Sequence, residues 1–72
     1  MQHHSSDRIG LALRSARVGA GMTQTELAER AGIDQATLSR IERGLRDLRY
    51  IEAVRLCEAM SVDLYAPLGG AR

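Results

Sequence analysis

The chain lacks most of what a catalytic or membrane-bound protein would use. Its 72 residues include one cysteine and two histidines, the latter adjacent at positions 3 and 4. Neither a disulfide framework nor a four-ligand zinc site can be assembled from that set within one chain, which points to a cytosolic protein. No apolar run approaches the roughly 20 residues that a membrane span requires. Ile9 to Leu13 is the nearest approach to a signal-peptide core, and Arg14 interrupts it at once, so no membrane association is expected. There is no convergent polar cluster and no glycine-rich phosphate cradle after a strand. The histidines stand in a polar leading segment, and Cys57 falls at core spacing, which suits an inert buried thiol, with a redox switch as the alternative. An enzyme, a cofactor and a metal site are therefore not expected. No alternating strand pattern occurs either. At this length the chain is one domain with a small core, for which a second subunit is a natural source of stability.

Lysine is also missing, since all ten basic residues are arginine. Arginine suits bidentate contacts to guanine and phosphate, although a GC-rich coding bias accounts for it equally well. The net charge of +1 says little, but its distribution says more. Residues 1–22 carry +2, 23–35 carry −2, 36–49 carry +2 and 50–72 carry −1. Basic and acidic segments alternate, as they would if one face met a polyanion.

Five short helices are expected, an all-α fold without internal repeats. Met1 to Ser6 reads as a disordered tail, in which His3 and His4 have no assigned role. The domain is placed at residues 7–68, with 69–72 as a C-terminal tail. Ser6 or Asp7 can cap a first helix that carries Ile9, Leu13, Ala16 and Ala20 at helical spacing; Gly19 and Gly21 end it. Thr23 to Glu26 is a capping box opening a second helix, with Leu27, Ala28 and Ala31 on one face and Gly32 as its stop. Asp34 caps a third helix, with Leu38 and Ile41 inward and Gly44 beyond its end. A fourth presents Tyr50, Ala53, Val54, Leu56, Cys57 and Met60 as its apolar face. Asp63 to Leu68 is a final short turn limited by Pro67.

Two short helices joined by Gly32 and Ile33 form a unit whose second member can project outward. On that member, Leu38 and Ile41 leave Gln35, Ala36, Ser39, Arg40 and Arg43 on the other side. Gln, Ser and Arg hydrogen-bond to base edges, and Ala packs on a thymine methyl. An ordinary surface helix can carry the same residues, so the pattern alone leaves both readings open.

The stretch from Gly21 to Gly44, GMTQTELAERAGIDQATLSRIERG, closely resembles the lambda-repressor-like (Xre-type) helix-turn-helix family. The likeness extends upstream through Ile9-Gly10, Leu13-Arg14 and Ala16-Arg17, and downstream through Arg46 and Tyr50 to Val62, which is nearly the whole chain. The combination of Thr-Gln opening the second helix, Ala-Gly at the turn and Ser-Arg-Ile-Glu-Arg-Gly closing the third is highly specific. It implies a compact DNA-binding domain that regulates transcription, such as a restriction-modification controller or a phage-type repressor. An antitoxin that also binds a partner toxin is the alternative. The resemblance places Gln24 against a phosphate, bracing Gln35 at the start of the reading helix. It puts Gln35, Ala36, Thr37 and Arg40 at the bases, with Arg40 as the guanine contact. Thr37 can equally bond its own backbone. Ser39, Arg43 and Arg46 are placed at phosphates, although Ser39 can reach either partner, and Arg49 is left unassigned. Glu42 would repel phosphate; the resemblance instead pairs it with Arg17 as a structural salt bridge. There are two departures from the family pattern: Leu48 and Arg49 stand where proline or serine commonly precedes the fourth helix, and Ser61 stands where glycine commonly ends it. The expected partners are double-stranded DNA and a second copy of the chain. Val62, Leu64, Tyr65 and Leu68 are too apolar for a free terminus and are assigned to a two-fold interface. Folding back on the monomer core is their other possible fate.

Overall fold

The structure is a computed structural model and describes residues 5–62. Its four helices are α1 (Ser5–Gly19), α2 (Gln24–Ala31), α3 (Gln35–Glu42) and α4 (Tyr50–Met60), with no strand among the described residues. The count is four rather than five, because the short helix expected over Asp63 to Leu68 lies outside the described residues.

The first helix starts earlier than its sequence suggests. Ser5 and Ser6, read from the sequence as the end of a disordered tail, form its first turn, so neither Ser6 nor Asp7 is its cap. Asp7 instead places a carboxylate near the positive end of the helix, where it is favourable. The Ser6 hydroxyl donates to Asp47 Oδ1 in the loop between α3 and α4. That partner is 41 residues distant, beyond the reach of any local pattern. Leu13 is buried, and Ile9 and Ala16 pack beside it. Ala20, expected on the same face, is exposed because the helix has already ended at Gly19.

Local chemistry sets both ends of α2. The Glu26 amide donates to Thr23 Oγ1 at 3.0 Å, and the Thr23 amide donates to Glu26 Oε1 at 2.9 Å. Gly32 closes the helix at φ 70°, ψ 34°, a left-handed conformation that costs glycine nothing. Its amide bonds back to the helix, and the Ile33 amide reaches the Ala28 carbonyl at 2.9 Å. Asp34 then opens α3 by accepting from the Ala36 amide at 3.2 Å. The chain reverses within three residues, and α3 packs against both α1 and α2 while α4 covers α2.

The fourth helix resolves the two departures from the family pattern. Its N-cap, Arg49, has no side-chain acceptor to offer, and Glu52 compensates by accepting from the Arg49 amide at 3.0 Å. At the other end Ser61 takes the left-handed position itself, at φ 58° and ψ 43°. For a residue with a Cβ that conformation costs on the order of 1 kcal/mol. In return the Ser61 and Val62 amides satisfy the Glu58 and Cys57 carbonyls in the last turn of α4.

Leu13, Leu27, Leu38, Ile41 and Leu56 are fully buried, with Ala28, Ala31, Ala53, Cys57 and Met60 around them. Each large aliphatic side chain contributes about 1.5–3 kcal/mol by leaving water. Ile33 and Val62 pack partly buried against this cluster. Tyr50 does not belong to the apolar face assigned to it. At 73% exposure, the first residue of α4 lies beyond the edge of the core.

Gly10 is where α1 and α3 meet. A Cβ on it would stand 2.5 Å from the Ile41 carbonyl oxygen and 2.6 Å from that of Glu42. Both are main-chain atoms of α3, so no side-chain rotation could relieve the overlap. Gly10→Ala is expected to push the helices apart and cost about 1–3 kcal/mol, the usual range for overpacking. Urea unfolding of parent and variant checks this. Equal midpoints would show that the crossing can yield.

Candidate nucleic-acid interface

Helix α3 has two unlike sides. Leu38, Ile41 and Glu42 are buried, whereas Gln35, Ala36, Arg40 and Arg43 are exposed, with Thr37 and Ser39 between them. Ala36, Arg40 and Arg43 follow one another at helical spacing and form one outward stripe. The Arg40 guanidinium, exposed to solvent, has no hydrogen bond or ion pair among the described residues. Arg43 bonds only the Ser39 carbonyl of its own helix, at a long 3.4 Å. Two cations on this stripe are therefore left for an external anion.

The adjacent side, Gln35, Ser39 and Glu42, turns toward α1 and α2. Glu42, only 5% exposed, is the one buried charged residue among those described. Arg17 grips it with a fork: Nε donates to Oε2 at 2.8 Å and Nη2 to Oε1 at 3.1 Å. A second face of the same guanidinium donates to the Met22 carbonyl at 2.9 Å, tying in the turn between α1 and α2. Gln24 completes the shell by donating its Nε2 to Glu42 Oε1 at 3.0 Å. The Gln24 Oε1 in turn accepts from Gln35 Nε2, also at 3.0 Å. Four side chains from three helices thus form one hydrogen-bonded chain, running from the interior to the exposed start of α3.

Gln24 stands at the first position of α2, where the helix presents its free amides and the positive end of its dipole. Thr23 satisfies the Glu26 amide, which leaves the amides of Gln24 and Thr25 without an intrahelical acceptor. An anion fits such a position well. An open groove of about 570 Å³ adjoins it, lined by Arg14, Gln24, Ser39 and Arg43 together with Asp7, Leu11 and Glu42. Arg14 is exposed there and has no bonded partner among the described residues. Sequence reasoning gave it no role. Its signal was its place four residues after Gly10, on the face of α1 that meets α3, and that meaning emerges only once the crossing point is known.

Arg46 is held differently from the other cations. Its Nη1 and Nη2 donate to the two carboxylate oxygens of Glu52, each at 2.9 Å, and Nη1 also reaches the Asp47 carbonyl at 3.0 Å. The fork ties the α3–α4 loop to the first turn of α4, so only Nε and one Nη2 hydrogen remain for an outside anion. The hydrogen bonds from Arg46 hold the Glu52 carboxyl below its usual range, aided by the Arg49 amide and by the two nearby positive charges; partial burial opposes this. Arg46 is correspondingly raised, first by its hydrogen bond to Glu52. Of the four residues assigned to the two-fold interface, Val62 lies partly buried against the core, while Leu64, Tyr65 and Leu68 fall outside the described residues.

A helix-turn-helix family model matches residues 13–66. The fold is similar to that of the restriction-modification controller protein C.AhdI from Aeromonas hydrophila, with a TM-score of 0.83 and 26% identity over 86% of this chain and 94% of that one. It is similar to the clp gene regulator ClgR from Corynebacterium glutamicum as well, at TM-score 0.88 and 30% identity, covering 93% and 87% of the two chains. A hypothetical transcription factor, NHTF from Neisseria, aligns at TM-score 0.83 and 26% identity over 90% and 75%. None of the curated proteins matches the chain. The protein belongs to the helix-turn-helix family of lambda-repressor (Xre) type, a class of DNA-binding transcription regulators.

The Arg46–Glu52 fork has a measurable consequence in acid. A carboxyl whose folded pKa is depressed contributes stability that is complete above its unfolded value, about 4.3 for glutamate, and is lost as pH falls through the folded value. Replacing Glu52 with Gln is therefore expected to lower the melting temperature at neutral pH and to flatten its decline as the solution is acidified through and below the ordinary glutamate range. Thermal melts across that range check it. Parallel acid profiles for parent and variant would remove the fork from the account.

Proposed function

We propose that this DNA-binding transcription regulator recognises a near-palindromic operator as a homodimer, with α3 of each subunit in the major groove. The observation that carries the reading is the outward stripe of α3. Its Arg40 is exposed and without a partner among the described residues, although Arg17 and Arg46 elsewhere in the same domain are each matched to a carboxylate. An arginine held out by a rigid helix, beside an alanine and a glutamine, matches the functional groups of base edges. Arg40 is assigned to guanine, and Gln35, Ala36 and Thr37 to neighbouring base pairs. Gln24, Ser39 and Arg43 hold backbone phosphates around the N-terminus of α2, and Arg14 joins them across the groove. Arg46 adds to this set through the N–H groups that Glu52 does not occupy. Arg17 and Glu42 hold the geometry without touching DNA. The names of C.AhdI and ClgR, a controller and a gene regulator, support the regulatory part of the reading.

Base readers and phosphate binders should separate experimentally. Arg40→Ala is expected to cost roughly 1–3 kcal/mol on a selected operator and to relax preference at one base pair in each half-site. Arg43→Ala should weaken selected and random DNA alike and flatten the log–log salt dependence by about one. Binding-site selection followed by salt titration distinguishes them. An Arg40→Ala protein with the parent's full sequence profile would show that α3 is not the reading helix.

Dimerisation is placed at the end of α4 and the segment 62–68. On B-DNA two copies of α3 fit successive major grooves when they lie about 34 Å apart, so a two-fold pairing there calls for half-site centres roughly 10 base pairs apart. Tyr65→Asp combined with Leu68→Asp is expected to sediment as a monomer and to bind the operator much more weakly. Tyr50→Asp with Ile51→Asp serves as the contrast, since both side chains are exposed hydrophobics at the start of α4. Dissociation by the second pair alone would move the interface to that end of the helix.

A further inference from the structure

The chain of side chains from Arg17 to Gln35 has a direction, and the direction is set at its buried end. Glu42, paired with a guanidinium, offers lone pairs and no hydrogen. Gln24 must therefore turn its NH2 group toward Glu42, as the 3.0 Å bond from Nε2 to Oε1 shows. A primary amide has unlike ends, so the Gln24 oxygen faces the other way, toward Gln35. Gln35 must then answer with its own NH2 group, and it does, at 3.0 Å. What Gln35 still presents is its carbonyl oxygen and one remaining N–H, on an exposed side chain at the start of α3.

We propose that Glu42, which is too buried to touch DNA, sets the hydrogen-bond polarity of Gln35 through Gln24 and thereby its preference for adenine. An acceptor beside a donor complements the N6 amino group and N7 of adenine in the major groove. A reversed relay would turn the Gln35 oxygen inward and its NH2 outward. Two donors would then favour N7 and O6 of guanine. Glu42 is thus a positioning residue for specificity, acting over two intervening hydrogen bonds. Its pairing with Arg17 keeps it an acceptor, and its place on α3 ties the relay to the helix that carries Gln35. The inference rests on the proposed reading of bases by Gln35.

The test compares base preference, adenine against guanine, at the pair that Gln35→Ala relaxes in a selected operator. Glu42→Gln keeps the size of the side chain but can present N–H toward Gln24. It is expected to narrow the preference about tenfold, while the salt dependence on random DNA stays that of the parent. Combining Glu42→Gln with Gln24→Glu restores the direction. The amide introduced at position 42 can donate to the carboxylate introduced at position 24, and that carboxylate accepts from Gln35. The adenine preference should return even though the added charge near phosphate lowers overall affinity. Simple damage to the fold would not be repaired by that exchange. Gln24→Met cuts the relay at a partly exposed site without disturbing the buried pair, and should narrow the preference in the same way. It decides the matter if Glu42→Gln fails to fold. Full adenine preference in Glu42→Gln or Gln24→Met would overturn the relay, as would failure of the exchange to restore a preference that Glu42→Gln had lost. If Gln35→Ala itself leaves base preference intact, the assignment of Gln35 to a base fails first and the relay falls with it.

Discussion

A carboxylate taken out of water must be surrounded by donors, and in this protein that requirement fixes how three helices meet. Glu42 is buried at the end of α3, and its donors come from Arg17 on α1 and Gln24 on α2. Burying an ion pair brings little net stability, because desolvation offsets most of the attraction. What it enforces is geometry. A shift of α3 along α1 or α2 would leave a charge unsatisfied in the interior, an error costing several kcal/mol. A small aliphatic core tolerates sliding far better than that. The polar cluster therefore supplies the uniqueness that leucine packing alone does not, and it does so beside the helix that faces outward.

The same constraint explains the close approach at Gly10. Arg17 reaches Glu42 because α1 lies directly on the end of α3, and the main chain at Gly10 leaves no room for a side chain there. Ionic fork and helix crossing are two parts of one contact, one polar and one steric. The three-residue link that begins at the left-handed Gly32 completes the arrangement by redirecting the chain from α2 into α3. Longer or more flexible connections would lose the register on which the Gln24 to Gln35 bond depends.

Arginine serves two purposes that composition does not separate. Arg17 and Arg46 grip carboxylates with planar forks and belong to the architecture. Arg14, Arg40 and Arg43 lie exposed along α3 and its groove without a carboxylate partner among the described residues. The near-neutral net charge conceals this division. With the paired Arg17 and Arg46 set aside, Arg14, Arg40 and Arg43 remain as three unpaired cations on α3 and the groove beside it.

Most of what depends on neighbours along the chain was legible in the sequence, although the bond from the Arg49 amide to Glu52, also within one helical turn, was not read there. The capping box at Thr23 and Glu26, the stop at Gly32, the cap at Asp34 and the inward Leu38 and Ile41 follow from bonds made within one helical turn. They were sufficient to place α2 and α3 and to define the outward residues of α3. Misreadings gathered where distant contacts decide. The first turn of α1 is held by Ser6 against Asp47, and Tyr50 satisfies the helical period yet lies beyond the core. Arg14 and Arg46 look alike as sequence; one lines an open groove and the other is closed on Glu52. The order of donors and acceptors from Arg17 to Gln35 likewise exists only in three dimensions. Short-range hydrogen bonding makes helices, and the identity of a side chain's partner is settled only when helices from separate parts of the chain come together around a charge.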